Sequence, residues 1–247
     1  MKTVWQFSIR YLSVLIGAAL LLPSTAYSAP PISSSSALSP HQLNGYISWR
    51  SDYVYRGVTL SQREPSLQAS LQYTHASGLY LHTWASETKV KQANGPDYEV
   101  NTSLGYNHRL SLDWSTHCAT THYAFNGGRL GFDSEFYDYG CGINYQDRAQ
   151  FTISYTDNSY GIRFYSTLYE LRYVHPLSSS WSYITQMGHW DIRDFMGTSY
   201  EYIHTGLQYT DHQVSSYLTY HWASDNAVDI YDNDADPGWL AAISYHF

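Results

Sequence analysis

The chain has 247 residues; charged residues make up 14% of it, and aromatic residues reach 17%, with 26 tyrosines. This aromatic content excludes a disordered chain, and the formal net charge of −8 disfavours nucleic acid as a partner. No run of about 20 apolar residues follows the N-terminus, which excludes a polytopic helical membrane protein. The remaining class is a β-rich protein with an unusual surface.

Residues 1–28 have the three-part pattern of a secretory signal peptide. Two basic residues are followed by a short apolar run at residues 11–22 and then by small residues up to Ser28. The apolar run is too short to span a membrane, so we expect export and cleavage after Ser28, with an uncleaved anchor helix as the alternative. Residues 29–41 are rich in serine and proline and predict a flexible leader.

Residues 42–247 alternate between apolar or aromatic and polar side chains with a period of two. This period is typical of β-strands whose two faces meet different surroundings. Twelve such segments are predicted, within a range of ten to fourteen, and their length of about 9–12 residues suits a tilted crossing of an outer membrane. In the first segment the alternation continues to Gly57. The segments start near Gln42, Pro65, Gly78, Tyr98, Leu112, Ser134, Ala149, Tyr165, Ser179, Ser199, Val214 and Gly238.

The connections between these segments alternate in length. Long connections follow odd-numbered segments, as at residues 57–64 and 224–237, and short ones follow even-numbered segments, as at residues 76–77 and 147–148. Outer-membrane barrels have this arrangement, with long loops outside the cell and tight turns in the periplasm. A sheet that closes into a barrel also leaves no strand edge unpaired in lipid. We therefore predict an all-β, antiparallel, up-and-down transmembrane barrel in the outer membrane of a Gram-negative bacterium.

The chain ends in an aromatic residue on one face of the last predicted strand. Ile243, Tyr245 and Phe247 share this face, and such an ending resembles the signal that the barrel-assembly machinery reads. We therefore expect outer-membrane lipid and this machinery as partners. The alternative that the alternation leaves open is a secreted lipocalin-like or sandwich protein, in which the apolar face points inward and the polar face outward.

The stretch Ser51-Asp52-Tyr53-Val54-Tyr55-Arg56-Gly57 resembles the opening of the TorF-type porin family, whose members were first described as conserved hypothetical outer-membrane proteins. Trp84-Ala85-Ser86 and Gly105-Tyr106 continue the resemblance, which covers about residues 44–106. The resemblance implies an outer-membrane β-barrel that acts as a channel, and it names no solute.

Charged and polar residues on the inward face predict a mixed-charge lumen. One reading is a constriction that orders water and sets ion preference in a channel for ions or small hydrophilic solutes, with weak preference for cations. The other reading is a paired network that braces and blocks the barrel, because buried charges must be paired. The predicted lumen residues are Arg50, Asp52, Arg56, Glu99, Asp138, Glu170, Arg172 and His204.

The two cysteines are predicted to face each other across a hairpin. If Phe125 pairs with Ser134, paired residue numbers sum to 259, and Cys118 and Cys141 give the same sum. Both lie on the outward face of their strands, and cross-strand neighbours come close enough for a disulfide, which export permits. Two free thiols at the membrane face are the alternative.

Other functions fit the sequence less well. His221 and Ser224 loosely resemble the His-x-Ser-Asn stretch of lipid A deacylases, but they are three residues apart and would face opposite sides of a strand. The acidic loop at residues 225–236 lacks the glycine and glutamate positions of a calcium loop. We therefore expect no enzyme activity, metal or cofactor. A closed structural or adhesive barrel that acts through its external loops remains the alternative to a channel.

Overall fold

The computed structural model describes residues 39–89, 96–127 and 135–247. The predicted signal peptide, residues 29–38 of the leader, and residues 128–134, with the predicted strand start at Ser134, lie outside these residues. The described residues form twelve long strands and one short hairpin. The strands are β1 (His41–Arg50), β2 (Val54–Tyr55), β3 (Val58–Thr59), β4 (Ser66–His75), β5 (Leu79–Glu87), β6 (Tyr98–Arg109), β7 (Trp114–Asn126), β8 (Glu135–Tyr145), β9 (Ala149–Thr156), β10 (Ser166–Pro176), β11 (Trp181–Asp191), β12 (Ser199–Asp211), β13 (Val214–Ala223) and β14 (Gly238–His246).

The twelve long strands close into an antiparallel barrel, which confirms the predicted fold. Each pairs with the next along the chain, and β14 returns to β1 with Tyr46 opposite His246. The long connections after β11 and β13 carry the short helices α1 (Arg193–Met196) and α2 (Asp225–Tyr231). Among the described residues, no helix is long and apolar enough to cross a membrane.

The outer surface of the barrel is apolar and aromatic, and the inner surface is polar at most positions. Along β6, Leu104 is 62% exposed, while its neighbour Ser103 is 1% exposed. The other strands follow the same rule, with Ile47 and Leu218 pointing outward and Gln68 pointing inward. This distribution is that of a barrel in lipid and is the reverse of a secreted lipocalin-like barrel.

The first strand is shorter than the alternation predicts. It ends at Arg50, and residues 51–65 turn back into the barrel, so Asp52 and Arg56 do not lie on the first strand of the wall. The reason is a two-residue hairpin turn between β2 and β3, in which Arg56 has φ 47° and Gly57 has φ 82°. Such a turn keeps the alternation of its flanking residues while it reverses the chain, and glycine suits its left-handed backbone.

The C-terminal residue closes the seam of the barrel. The Gly45 N–H donates to the Phe247 carbonyl at 2.9 Å, and the Phe247 N–H donates to the Gly45 carbonyl at 3.0 Å. The Phe247 ring covers Gly45 so closely that a Cβ there would lie 2.7 Å from it. Ile243, Tyr245 and Phe247 are all about half exposed on the outer surface. Their role as an assembly signal stays a prediction.

The two cysteines form the predicted disulfide. Cys118 lies directly opposite Cys141 in the β7–β8 pair, with their Cα atoms 4.1 Å apart, and the two sulfur atoms are bonded. Both residues are exposed on the outer surface, as their positions in the alternation predict.

Replacing both cysteines by serine is expected to lower the free energy of unfolding by about 2–4 kcal/mol, because the bridge restricts the unfolded chain. Urea unfolding of the refolded barrel measures this difference. Reduced wild type is the matched control and should unfold like the double variant. Two titratable thiols in the unreduced, denatured wild type would contradict the bridge.

Candidate functional site

The interior of the barrel differs between its two ends. At the end with the short turns, inward side chains such as Asn144, Gln150 and Arg172 are only half-buried, so solvent reaches them. At the end with the long loops, inward side chains such as Phe136 and Trp190 are almost completely buried. The interior is therefore a polar vestibule that is filled at its long-loop end.

Residues 51–65, which we call the plug, enter this end of the barrel, where residues 52–61 are buried and residues 62–65 are exposed. Val58 and Leu60 on the plug are 2% and 3% exposed and join a buried cluster with aromatic residues of the wall. The plug is braced from within by Asp52, whose carboxylate accepts hydrogen bonds from Thr59 at 2.6 Å and Ser61 at 2.8 Å. Burial raises the pKa of Asp52, and these hydrogen bonds act in the opposite direction.

Polar contacts attach the plug to the rest of the barrel. The Tyr53 hydroxyl donates to the Glu99 carboxylate on β6 at 2.8 Å. The Lys89 N–H donates to the carbonyl of plug residue Leu60 at 2.8 Å. At the surface, the Arg63 guanidinium donates to the Asn233 carbonyl at 2.9 Å and lies 3.7 Å from the Asp236 carboxylate.

Arg56 sits at the tip of the β2–β3 hairpin and is 2% exposed. Its guanidinium carbon lies 4.4 Å from the centre of the Trp190 ring and 4.7 Å from that of Tyr55. Asp138 and Glu99 also project into this interior, and in the described part of the chain neither is ion-paired with Arg56. Among the described residues, its Nε and Nη1 atoms have no hydrogen-bond partner. The plug therefore carries a buried cation against the rings of Tyr55 and Trp190.

Three carboxyl groups project into the interior from alternate strands of the wall. Glu99 on β6 also accepts a hydrogen bond from Asn101 at 2.7 Å, and Asp138 on β8 is hydrogen-bonded to Ser154. Glu170 on β10 accepts hydrogen bonds from Gln186 and from the Tyr202 hydroxyl; the Gln186 bond measures 2.7 Å. Glu99 and Asp138 are 0% and 5% exposed. The three side chains thus hold fixed acceptors inside the barrel.

The remaining predicted lumen residues also point inward. Arg50 lies over the Tyr217 ring, with 5.5 Å from its guanidinium carbon to the ring centre. Arg172 lies two residues beyond Glu170 on the same face of β10. The His204 ring stacks on His221 at 5.9 Å. All eight predicted residues therefore lie inside the barrel, six on the wall and two on the plug.

The sequence reasoning missed the aromatic residues that line the filled end. They occupy inward positions of their strands, and nearer the short turns the same inward positions carry polar residues. Their inward place in the alternation of each strand could therefore have predicted that they face the interior. The inward-facing aromatic residues are Trp84, Tyr123, Phe125, Phe136, Trp190, Tyr200 and Tyr202.

The lipid-hydrolase reading gains no support from the positions of its two residues. His221 points into the barrel and is 3% exposed, whereas the Ser224 hydroxyl accepts the Glu201 N–H at 3.1 Å at the start of the last loop. In the described part of the chain, no group of three or more histidine, cysteine, aspartate or glutamate side chains is arranged to hold a metal ion.

Among solved structures, the chain is similar to the KdgM porin, both alone and in complex with disordered oligogalacturonate. Each match has a TM-score of 0.52 and 10% sequence identity and covers 83% of this chain and 99% of that one. The Pseudomonas aeruginosa porin OprD matches with a TM-score of 0.41 and 12% identity, over 86% of this chain and 68% of OprD. These likenesses concern the fold.

A sequence comparison with curated proteins gave no match. The model of a family described as bacterial proteins of unknown function, Gcw_chp, matches residues 34–237. This match includes the plug and all eight lumen residues. The chain belongs to the Gcw_chp family.

Proposed function

We propose that the protein is an outer-membrane, porin-like channel for the passive diffusion of ions or small hydrophilic solutes through a mixed-charge lumen. The observation that carries this proposal is the polar inner wall within an apolar outer surface. A barrel that served only as a scaffold has no need of a solvated polar vestibule. In the proposal, residues 1–28 direct export, the C-terminal strand directs assembly, and the chain acts without enzyme activity or cofactor.

Two likenesses support the same function. KdgM is a porin whose complex with oligogalacturonate has been solved, so a barrel of this fold can admit a small hydrophilic solute. Residues 44–106 resemble the TorF-type porin family. Neither likeness identifies the solute of this chain, which the charges of its own lumen must select.

A closed barrel that acts through its external loops is the second candidate, and the plug favours it. Residues 52–61 of the plug are buried at the long-loop end, so we expect a solute to pass only when the plug moves. The channel and the closed barrel therefore differ in one property, which is whether the plug leaves the lumen.

We expect the refolded barrel to give discrete conductance steps in a planar bilayer, with a reversal potential that indicates weak cation preference. The reason is that the predicted lumen set has four carboxyl groups, two of them Glu99 and Asp138, against three arginines. Heat-modifiable migration on a gel is the control for folding. A folded barrel that stays silent both with its plug and without it would contradict the channel.

A further inference from the structure

The even-numbered strands from β4 to β14 share a short pattern at the end of the barrel that carries the short turns. On each of them an outward aliphatic residue, one inward residue and an outward tyrosine follow one another. The inward residue is an amide on every second one of these strands, namely Gln72 on β4, Asn144 on β8 and Gln208 on β12. Because the pattern occupies the same end of each strand, the three amides lie at a similar depth in the barrel.

The three amide residues surround the mouth of the vestibule. In the closed ring of twelve strands, β4, β8 and β12 are each four places from the next, so the three side chains project inward from evenly spaced directions. Asn144 and Gln208 are half-buried and meet solvent, whereas Gln72 is 3% exposed. A solute that passes through this end of the barrel therefore passes between the three amides.

Each amide donates a hydrogen bond from its nitrogen to a neighbouring hydroxyl group. We call these three amide–hydroxyl pairs the polar ring: Gln72 with Thr74, Asn144 with Ser115, and Gln208 with Thr210. The bonds measure 2.8, 3.1 and 3.2 Å in that order. The Asn144 nitrogen also lies 3.4 Å from the His117 Nδ1 atom. The amide nitrogens of the polar ring are thus already engaged within the barrel.

The amide oxygens of the polar ring are not engaged. Among the described residues, the Gln72 Oε1 atom is buried without a hydrogen-bond partner, although buried polar groups are normally paired. The hydroxyl group of each pair accepts a hydrogen bond, so its own O–H can still donate. Each pair therefore offers one acceptor and one donor side by side, and two neighbouring hydroxyl groups of a sugar complement both.

This end of the barrel carries little formal charge. At the three inward positions nearest this end of each long strand, all of them described, there is no aspartate or glutamate, and the charged side chains are Arg109 and Arg172. The Arg109 guanidinium donates to the carbonyls of Ser111 and Leu112 in its own turn. Rings of charged side chains select ions, whereas a ring of amides and hydroxyl groups suits an uncharged polar solute.

We propose that the polar ring is a binding site for uncharged, hydroxyl-rich solutes of the sugar and polyol class. Their hydroxyl groups donate to the three amide oxygens and accept from the three O–H groups. The inference deepens the proposed function, on which its transport part rests, because it names the class of solute that the channel passes. Binding itself does not require the plug to move, since solvent reaches the polar ring from the short-turn end.

The first test is calorimetry on the whole refolded chain in dodecyldimethylamine oxide, a detergent without a sugar headgroup. Maltotriose is expected to bind, and triethylene glycol dimethyl ether, which is uncharged but has no O–H group, is not. Maltotrionate, in which the terminal aldehyde of the same sugar is oxidised to a carboxylate, should bind no more tightly than maltotriose. Equal binding of the ether and maltotriose, or binding of maltotrionate about tenfold more tightly than maltotriose, would overturn the proposal.

The second test changes the polar ring. The double variant Asn144→Leu with Gln208→Leu removes two amide oxygens and should bind maltotriose about tenfold or more weakly than wild type. Gln146→Leu is the matched control and should bind like wild type, because the Gln146 nitrogen donates to Asp113 between two turns, at 3.0 Å, outside the polar ring. Heat-modifiable migration checks that each variant is folded, and the comparison of solutes on wild type needs no variant.

The same measurements separate this inference from the channel. Unchanged affinity in the folded double variant would overturn the polar ring as the site. Maltotriose binding in a barrel that never conducts would keep the polar ring and overturn the channel. Conductance in a barrel that binds no maltotriose would keep the channel and overturn the polar ring.

Discussion

Replacing residues 52–64 with a short glycine-serine turn is expected to produce a continuously open channel. Arg50 lies directly opposite Ser66 in the β1–β4 pair, so a short turn can join the two strands without changing the wall. A twelve-stranded cylinder is roughly 24 Å across at the backbone, and we expect the inward side chains of the wall alone to leave a water path through it. The plug fills this end together with buried loop residues such as Tyr160 and Tyr231, and we expect its removal to open the path.

Single-channel recording measures the effect, and we expect a mean conductance well above that of wild type, which conducts only while its plug is displaced. Arg63→Gln is the matched control, because it removes the surface contact with Asp236 and leaves Arg56 in place. This control should open far less than the shortened variant. A shortened, folded barrel with the conductance of wild type would show that the plug is not what closes the lumen.

Leu104→Arg is expected to destabilise the barrel far more than Tyr98→Arg does. Both positions face outward on β6, but Tyr98 begins the strand and Leu104 lies near its middle. An arginine at the centre of a bilayer costs about 2–4 kcal/mol, and near the interface about 0–1 kcal/mol. Comparing the two variants therefore measures how deep each position lies in the membrane, as well as whether its side chain faces the lipid.

Urea unfolding of the two variants in lipid vesicles measures the difference. The comparison is internally controlled, since the strand, the face and the introduced residue are the same. Equal losses of stability at the two positions would contradict a lipid-facing surface centred on Leu104.

The barrel wall is the part that the sequence predicts best. The predicted start of β6 at Tyr98 and of β12 at Ser199 coincide with the observed ones, and the Cys118–Cys141 pairing follows from the hairpin register. Each wall residue faces either lipid or the interior, so the alternation along a single strand is enough to assign its side. The alternation of long and short loops then predicts that consecutive strands are neighbours that run in opposite directions.

The sequence by itself therefore determined the barrel class, the direction of the strands and the register at the disulfide, and it predicted twelve strands within a range of ten to fourteen. The role of the eight lumen residues as a constriction stays a prediction. Only the tertiary structure decided whether residues 51–57 continue the first strand or turn into the barrel as a hairpin. A strand that continues and a two-residue hairpin carry the same alternation, so Tyr53 fits either an outward or a buried position. The choice depends on partners far along the chain, since the Tyr53 hydroxyl meets Glu99 and the Arg56 guanidinium meets Trp190. Such contacts form only when the barrel closes and brings distant strands to face each other across its lumen.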